Sequence, residues 1–272
     1  MSMNDNNQKF TFIGGGNMAE AIINAMLEHN VARSADIIVS EKKPERRAYI
    51  AAKFSLAATD DNVGAVKDAG TVILAIKPQD LIGLMAQLNG KIAAGAVVLS
   101  IIAGARLDTI TAGLNTAKVV RVMPNTPAQV GQGMSVWTAT AAVNDGEKER
   151  VAAMLKAMGC EIFAADEKYI DMATAVSGSG PAYVFYFAEA LENAARNIGF
   201  NEAQSRELAL QTLYGAATYL KNSGLPAAEL RKNVTSPGGT TAAAITEFEN
   251  GQLAELIERG VKAALKRARE LG

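Results

Sequence analysis

The chain is poor in the residues that usually carry nucleophilic or metal chemistry. Of its 272 residues, one is a cysteine, Cys160, and one a histidine, His29. A single cysteine excludes an internal disulfide framework. One cysteine with one histidine argues against both thiolate–imidazole catalysis and a His/Cys zinc site; no metal site is expected. Net charge is scarce too, because 27 Lys and Arg face 28 Asp and Glu, leaving −1. No chain-wide basic field therefore draws nucleic acid. No apolar run reaches the roughly 18 residues of a membrane span. The opening MSMNDNNQKF is polar and unlike a signal peptide. These absences imply a cytoplasmic globular protein of one or two domains. If it is an enzyme, a bound cofactor carries the chemistry. His29 falls near the end of a helical pattern, where a helix-end role is the ordinary one.

What is present divides the chain in two. Short apolar runs at 9–14, 36–40, 71–76, 96–102 and 117–123 read as strands, and helical spacing at 17–30, 44–54 and 79–88 falls between them. That rhythm predicts a mainly parallel sheet covered by helices on both faces. GMSVWTAT at 133–140 follows without a helix between and is expected as an antiparallel addition. A helix at 145–158 and a strand at 161–165 close this half. From Asp166 onward the pattern is helical, over 181–199, 201–224 and 251–272, punctuated by Gly199, Gly224 and Gly251. The expected organisation is an α/β domain over 1–165 followed by an all-α domain over 166–272.

GGGNMA fits G-x-G-x-x-A, with Gly14, Gly16 and Ala19, between a strand and a helix. In that context Gly14 permits the tight turn, Gly16 lets a pyrophosphate approach the backbone, and Ala19 keeps the helix near the sheet. A plain glycine-rich turn is the competing explanation. The end of the second strand reads SEKKPERR. Glu41 there argues for NAD; Lys42, Lys43, Arg46 and Arg47, with Ser40 as an extra donor, argue for NADP, and the balance of cations favours NADP.

In the helical half, Ser179 is a candidate cap and Pro181 suits a first turn. Tyr183, Phe185, Tyr186 and Phe187 point in several directions around their helix, as on a helix buried on every side. About a hundred residues are few to enclose it, so a homodimer is expected. SPGGTT at 236–241 makes a tight turn in which Thr240 or Thr241 can cap the next helix, whose start can seat a carboxylate.

FIGGGNMAEAI, AIKPQD, MPNTPA, SGSGPAYVF and VTSPGGTT occur in the order and spacing of the pyrroline-5-carboxylate reductases, and the chain resembles that family from about residue 9 to 270. The two segments of the helical half together are specific; the glycine motif alone is not. The resemblance implies a Rossmann domain with a helical dimerisation domain, and reduction of 1-pyrroline-5-carboxylate to L-proline by NADPH or NADH, the last step of proline synthesis. It places Ile13, Gly14, Gly15, Gly16, Asn17 and Met18 along the cofactor phosphates, and Ser40, Glu41, Lys42 and Lys43 around the adenosine ribose. Asn62 would contact the adenosine portion; Ala75, Lys77 and Pro78 would line the cleft, and Ile102 and Ala103 the part nearer the nicotinamide. Glu167, Asn233, Thr240 and Thr241 would belong to the substrate site, with Ser177 bordering it, in a cleft completed by helices that include the partner's. One departure is GLPAAELRKN before the second loop, where many members carry a His-Pro-Gly-Glu-Leu-Lys-like run.

A protonated imine carbon is electrophilic without a histidine acid, so the protein's task is placement, with nicotinamide C4 about 3–3.5 Å from the imine carbon. The expected arrangement has the Gly239, Thr240 and Thr241 amides hold the carboxylate while the Thr241 hydroxyl orients the ring nitrogen. Two rivals remain. A 3-hydroxyacid dehydrogenase-like NADP oxidoreductase is weakened by the lack of lysine in PAYVFYFAEALENAARNIG. A non-catalytic NADP-binding sensor differs by binding without turnover.

Overall fold

The computed structural model describes residues 9–272; the polar start that bears on export lies outside the described residues. The chain forms two compact units, one made of residues up to Ser179 together with 264–272, the other of Gly180–Ala263.

The first unit is built on an eight-stranded sheet of order β3-β2-β1-β4-β5-β6-β7-β8. Its strands are β1 (Phe10–Ile13), β2 (Ile37–Ser40), β3 (Ala57–Thr59), β4 (Thr71–Leu74), β5 (Val97–Ser100), β6 (Val119–Met123), β7 (Gly133–Ala139) and β8 (Gly159–Phe163). All neighbours run parallel except β6 and β7, which are antiparallel, as the missing crossover helix requires. A short 3-10 turn over Thr126–Val130 makes that connection. The last strand begins two residues earlier than the apolar run at 161–165 suggests, because Gly159 pairs with Gly133.

Successive strand residues face opposite ways, and two cores result. Phe12, Val39, Ile73, Leu99 and Val120 pack on one face under α1 (Asn17–Glu28), α2 (Pro44–Phe54) and α6 (Asp145–Ala157). Ile13, Val72, Leu74, Val98 and Val119 pack on the other with α3 (Asn62–Val66), α4 (Leu81–Leu88) and α5 (Leu107–Leu114). Every residue of β5 is buried, as a strand covered on both faces must be. His29 is the C-cap of α1, its N–H donating to the Ala25 carbonyl, while the Asn30 N–H donates to that of Leu27.

The Ser-Gly-Ser-Gly segment departs from expectation. α7 (Lys168–Ala173) runs into a π turn over Thr174–Gly178. Ser179 has helical dihedrals (φ −84°, ψ −20°), and its N–H donates to the Thr174 carbonyl at 2.8 Å. It is therefore not an N-cap. The glycines that suggest a break instead accommodate one wide turn, with Gly178 close against Met123.

The second unit contains α8 (Gly180–Asn197), α9 (Glu202–Ser223), α10 (Ala227–Asn233), α11 (Thr240–Asn250) and the start of α12 (Leu253–Leu271). α9 opens on a reciprocal cap between Asn201 and Gln204 and stops at Gly224, whose φ of 67° suits glycine. Of residues 180–263 only Ser205 and Ala209 are buried. Phe185 is 65% and Tyr186 74% exposed within this chain.

Candidate active site

The glycine turn sits where β1 and β4 adjoin at the centre of the sheet, the switch point at which strand order reverses. Gly14 has φ +98°, and a Cβ there would lie 2.6 Å from the Ala75 carbonyl oxygen. Both observations require glycine. Gly16, the N-cap of α1, has open space where a side chain would stand and no capping side chain. The amides at the start of this twelve-residue helix thus face a cleft of about 1000 Å³, lined by Ile13, Gly14, Gly16, Asn17, Ser40, Glu41, Lys42, Lys43, Asn62, Ala75 and Lys77. Ala19 is wholly buried, which lets α1 lie close on the sheet. A cradle of this shape fits a dinucleotide.

Other residues implied by resemblance lie elsewhere. Gly15 and Met18 are beside the turn but do not line the cleft, and Pro78 opens a 3-10 turn at its rim. Ile102 is 3% exposed and part of the second core, and Ala103 follows it; neither lines the cleft.

The charges beyond β2 are not the uniform field that counting suggests. Arg46 is paired with Glu20 and donates through Nε to the Gly15 carbonyl at 2.5 Å. Arg47 pairs with Asp60 at 3.2 Å and donates to the Glu41 carbonyl at 2.7 Å. Lys42, Lys43 and Lys77 make no ion pair among the described residues, so three ammonium groups remain available around the cleft. Ser40 is not a spare donor: its hydroxyl donates to Asn62 Oδ1 at 2.6 Å, and Asn62 Nδ2 donates to Gln87 at 2.8 Å. That chain, buried at Ser40 and Asn62 and exposed at Gln87, forms part of the cleft wall.

Sequence reasoning missed Glu20. It accepts from Lys53 Nζ at 2.7 Å, from the Tyr49 hydroxyl at 3.0 Å and from Arg46. Burial pushes its carboxyl up, but the bonds from Lys53, Arg46 and Tyr49 outweigh this and hold it at about 2. Its partners all lie on α2, spaced as one helix face, Arg46, Tyr49 and Lys53. That spacing sets three donors on one face, but nothing local in the sequence names the carboxylate they share.

Glu167 and Ser177 belong to the first unit and are held there. Glu167 Oε1 accepts from Arg121 at 2.8 Å and from the Leu107 amide at 2.9 Å. Arg121, buried in β6, also binds Asp171 at 2.7 Å. Arg121 thereby carries two carboxylates, a pairing its burial demands. The Ser177 hydroxyl donates to the Ala173 carbonyl at 3.1 Å, while its own carbonyl accepts from Asn125 at 3.0 Å.

In the second unit Asn233 ends α10, and the SPGGTT loop leads into α11. Gly239, not a threonine, is its N-cap; no side chain caps it. Thr240 and Thr241 are the first two helical residues. The Gly239 amide is already donated to Ser236 at 3.0 Å. The free donors among the described residues are the amides of Thr240, Thr241 and Ala242, and the Thr241 hydroxyl makes no internal bond. An uncapped helix start beside an unengaged hydroxyl can take one carboxylate and one ring nitrogen.

Comparison with known proteins matches residues 167–271 to the model for pyrroline-5-carboxylate reductase dimerisation, and residues 9–104 to that for NADP oxidoreductases, coenzyme F420-dependent. A pyrroline-5-carboxylate reductase from Pseudomonas aeruginosa is 39% identical over 264 residues, covering 97% of this chain and 96% of that one. One from Arabidopsis thaliana is 35% identical, covering 97% and 95%. Among solved structures, a pyrroline-5-carboxylate reductase from Coxiella burnetii superposes with a TM-score of 0.91 at 34% identity, covering 98% of this chain and 99% of that one. A pyrroline carboxylate reductase from Plasmodium falciparum with NADP bound gives 0.87 at 27% identity, with the same coverage.

Proposed function

Because the chain belongs to the pyrroline-5-carboxylate reductase family, its reaction is the NAD(P)H-dependent reduction of 1-pyrroline-5-carboxylate to L-proline, the last step of proline biosynthesis, and we propose how its residues divide that work. The observations that support the division are a glycine-built cleft in one unit and, separately, an uncapped, threonine-bearing helix start in the other.

The nicotinamide dinucleotide, when bound, supplies the hydride. Gly14 and Gly16 give its pyrophosphate access to the amides of α1. Ser40, Glu41, Lys42, Lys43 and Asn62 surround the adenosine end, and Ala75, Lys77 and Pro78 border the path toward the ring. Ile102 and Ala103 act as backing beneath the nicotinamide. NADPH is the preferred form, because Lys42 and Lys43 offer free ammonium groups where a 2′-phosphate would sit; the NADP bound to the Plasmodium relative supports this choice. NADH remains a usable alternative.

On the substrate side the amides of Thr240, Thr241 and Ala242 hold the carboxylate, replacing the set that began at Gly239. The Thr241 hydroxyl orients the imine nitrogen and is the catalytic residue. Ser177 and Asn233 border the ring, and Glu167 acts through the order it imposes on the start of α5. Two copies assemble through their helical units, since a unit with two buried residues has no core of its own. The free thiol of Cys160 is in keeping with a cytoplasmic setting. No helix of the described residues is long and apolar enough to cross a membrane.

Mixing protein, NADPH and the imine tests the reaction. Loss of the reduced-nicotinamide absorbance with one proline formed per cofactor consumed is expected; binding of NADPH without turnover would instead mark a sensor.

A further inference from the structure

Gly15 is held through its N–H and its carbonyl, in the two peptides that flank its Cα, by side chains from one neighbouring segment. Its N–H donates to Glu41 Oε2 at 2.9 Å. Its carbonyl accepts from Arg46 Nε at 2.5 Å. Each of these partners is itself held. The second oxygen of Glu41 accepts from the Lys43 amide at 2.9 Å, and the backbone of Glu41 is fixed by Thr59 and Arg47. Arg46 is gripped by Glu20 and lies over the Tyr49 ring at 4.9 Å. Gly14, next in the turn, donates to the Ser40 carbonyl at 2.8 Å.

This bonding changes what Glu41 can do. An acid at the end of the second strand of such a sheet usually accepts from the ribose 2′-hydroxyl. Here both carboxylate oxygens are committed to backbone amides, one of them in the phosphate turn itself. To accept from a ribose hydroxyl, Glu41 would have to share an oxygen that already holds Gly15 or Lys43, in an orientation set by those two amides.

We infer that Glu41 and Arg46 are positioning residues that clamp Gly15 through its N–H and its carbonyl and so preset the pyrophosphate turn, whereas discrimination between NADPH and NADH rests on Lys42 and Lys43. Affinity for both dinucleotides depends on the clamp, because both carry the same pyrophosphate. Glu20 belongs to the device at one remove, since it fixes the Arg46 guanidinium. The inference rests on the proposed cofactor role of this cleft.

Calorimetric titration of NADPH and of NADH separates the possibilities. Glu41→Asp keeps the charge but is one methylene too short to span both amides, and Arg46→Met removes the carbonyl donor together with a cation of the cleft wall. Each variant is expected to bind both dinucleotides about tenfold more weakly, as for one lost hydrogen bond to a charged group, with the NADH-to-NADPH ratio unchanged within about twofold. The double variant falls little below the weaker single one, since both groups hold the same residue of the turn. Arg46→Lys, which keeps a donor, recovers part of the loss. Selective loss of NADH binding in Glu41→Asp would show that Glu41 reads the ribose and overturn the inference; so would unaltered affinities in Arg46→Met. Should Arg46→Met fail to fold, the ratio in Glu41→Asp decides alone. Failure of the unmodified protein to bind either dinucleotide would overturn the cofactor assignment itself, and the clamp with it.

Discussion

The two units solve the problem of burial in different ways. The first closes two cores of its own, one on each face of a sheet whose central strand β5 has no exposed residue. The second leaves α8 and α11 without a single buried side chain, and its aromatic residues face outward. A cofactor cleft built on the first unit is set by intrachain packing alone. The helix start proposed to hold substrate is carried by a unit with only two buried residues, Ser205 and Ala209. The contrast teaches that cofactor affinity and turnover need not depend on assembly in the same way.

The largest effect is expected where the contrast is greatest. Tyr186→Asp combined with Tyr214→Asp places charges on outward apolar positions of α8 and α9. Dimer dissociation is expected to strengthen by roughly 100-fold or more, the scale of interface hot spots, as read by sedimentation. NADPH binding to the first unit should persist. An unaltered sedimentation profile would place the dimer contact elsewhere.

Next in size is Thr241→Ala. It removes the one hydroxyl at the α11 start assigned to the imine, and kcat/KM for the imine should fall by about 10- to 100-fold, as for a lost orienting bond. NADPH affinity should stay within about twofold. An unchanged rate would remove Thr241 from the mechanism.

Lys42→Glu with Lys43→Glu sharpens the contrast from the cofactor side. NADPH affinity should drop by about tenfold or more, and NADH affinity by much less. Equal losses would show that the lysines do not read the 2′-phosphate.

The smallest effect is set by pH. The carboxyl of Glu20 is lowered to about 2 in the folded protein from an ordinary 4.5. A depressed carboxylate stabilises the fold fully above its unfolded value and loses that contribution as pH falls through the folded one. The contribution should therefore fade between about pH 4.5 and 2. Glu20→Gln should flatten the acid limb of a thermal melting curve in that window, and an identical limb would assign the acid sensitivity to other groups.

Much of this organisation is legible in the sequence because burial leaves a periodic trace. Continuous runs such as TVIL and VVLS announce strands covered on both faces, and the glycine motif announces its turn through its position between strand and helix. Short elements escape. β3 has three residues, none buried, and α5 has eight residues with three β-branched ones, so neither presents a clear period. α7, just after Asp166, is read only as part of a helical half; compactness ends the first unit at Ser179, while the dimerisation match begins at 167. At the site, residue types were readable but bonding was not. Arg46 and Arg47 count as free cations until Glu20 and Asp60 are seen beside them. Thr240 and Thr241 look like caps until Gly239 is found in the cap position. Long-range partners of this kind have no local sequence signature.

The most direct test follows turnover and assembly together on dilution, with sedimentation reporting the dimer fraction and NADPH titration the cofactor site. Proline formation should track the dimer fraction while NADPH affinity stays constant; full turnover by monomers would contradict the division of labour between the two units.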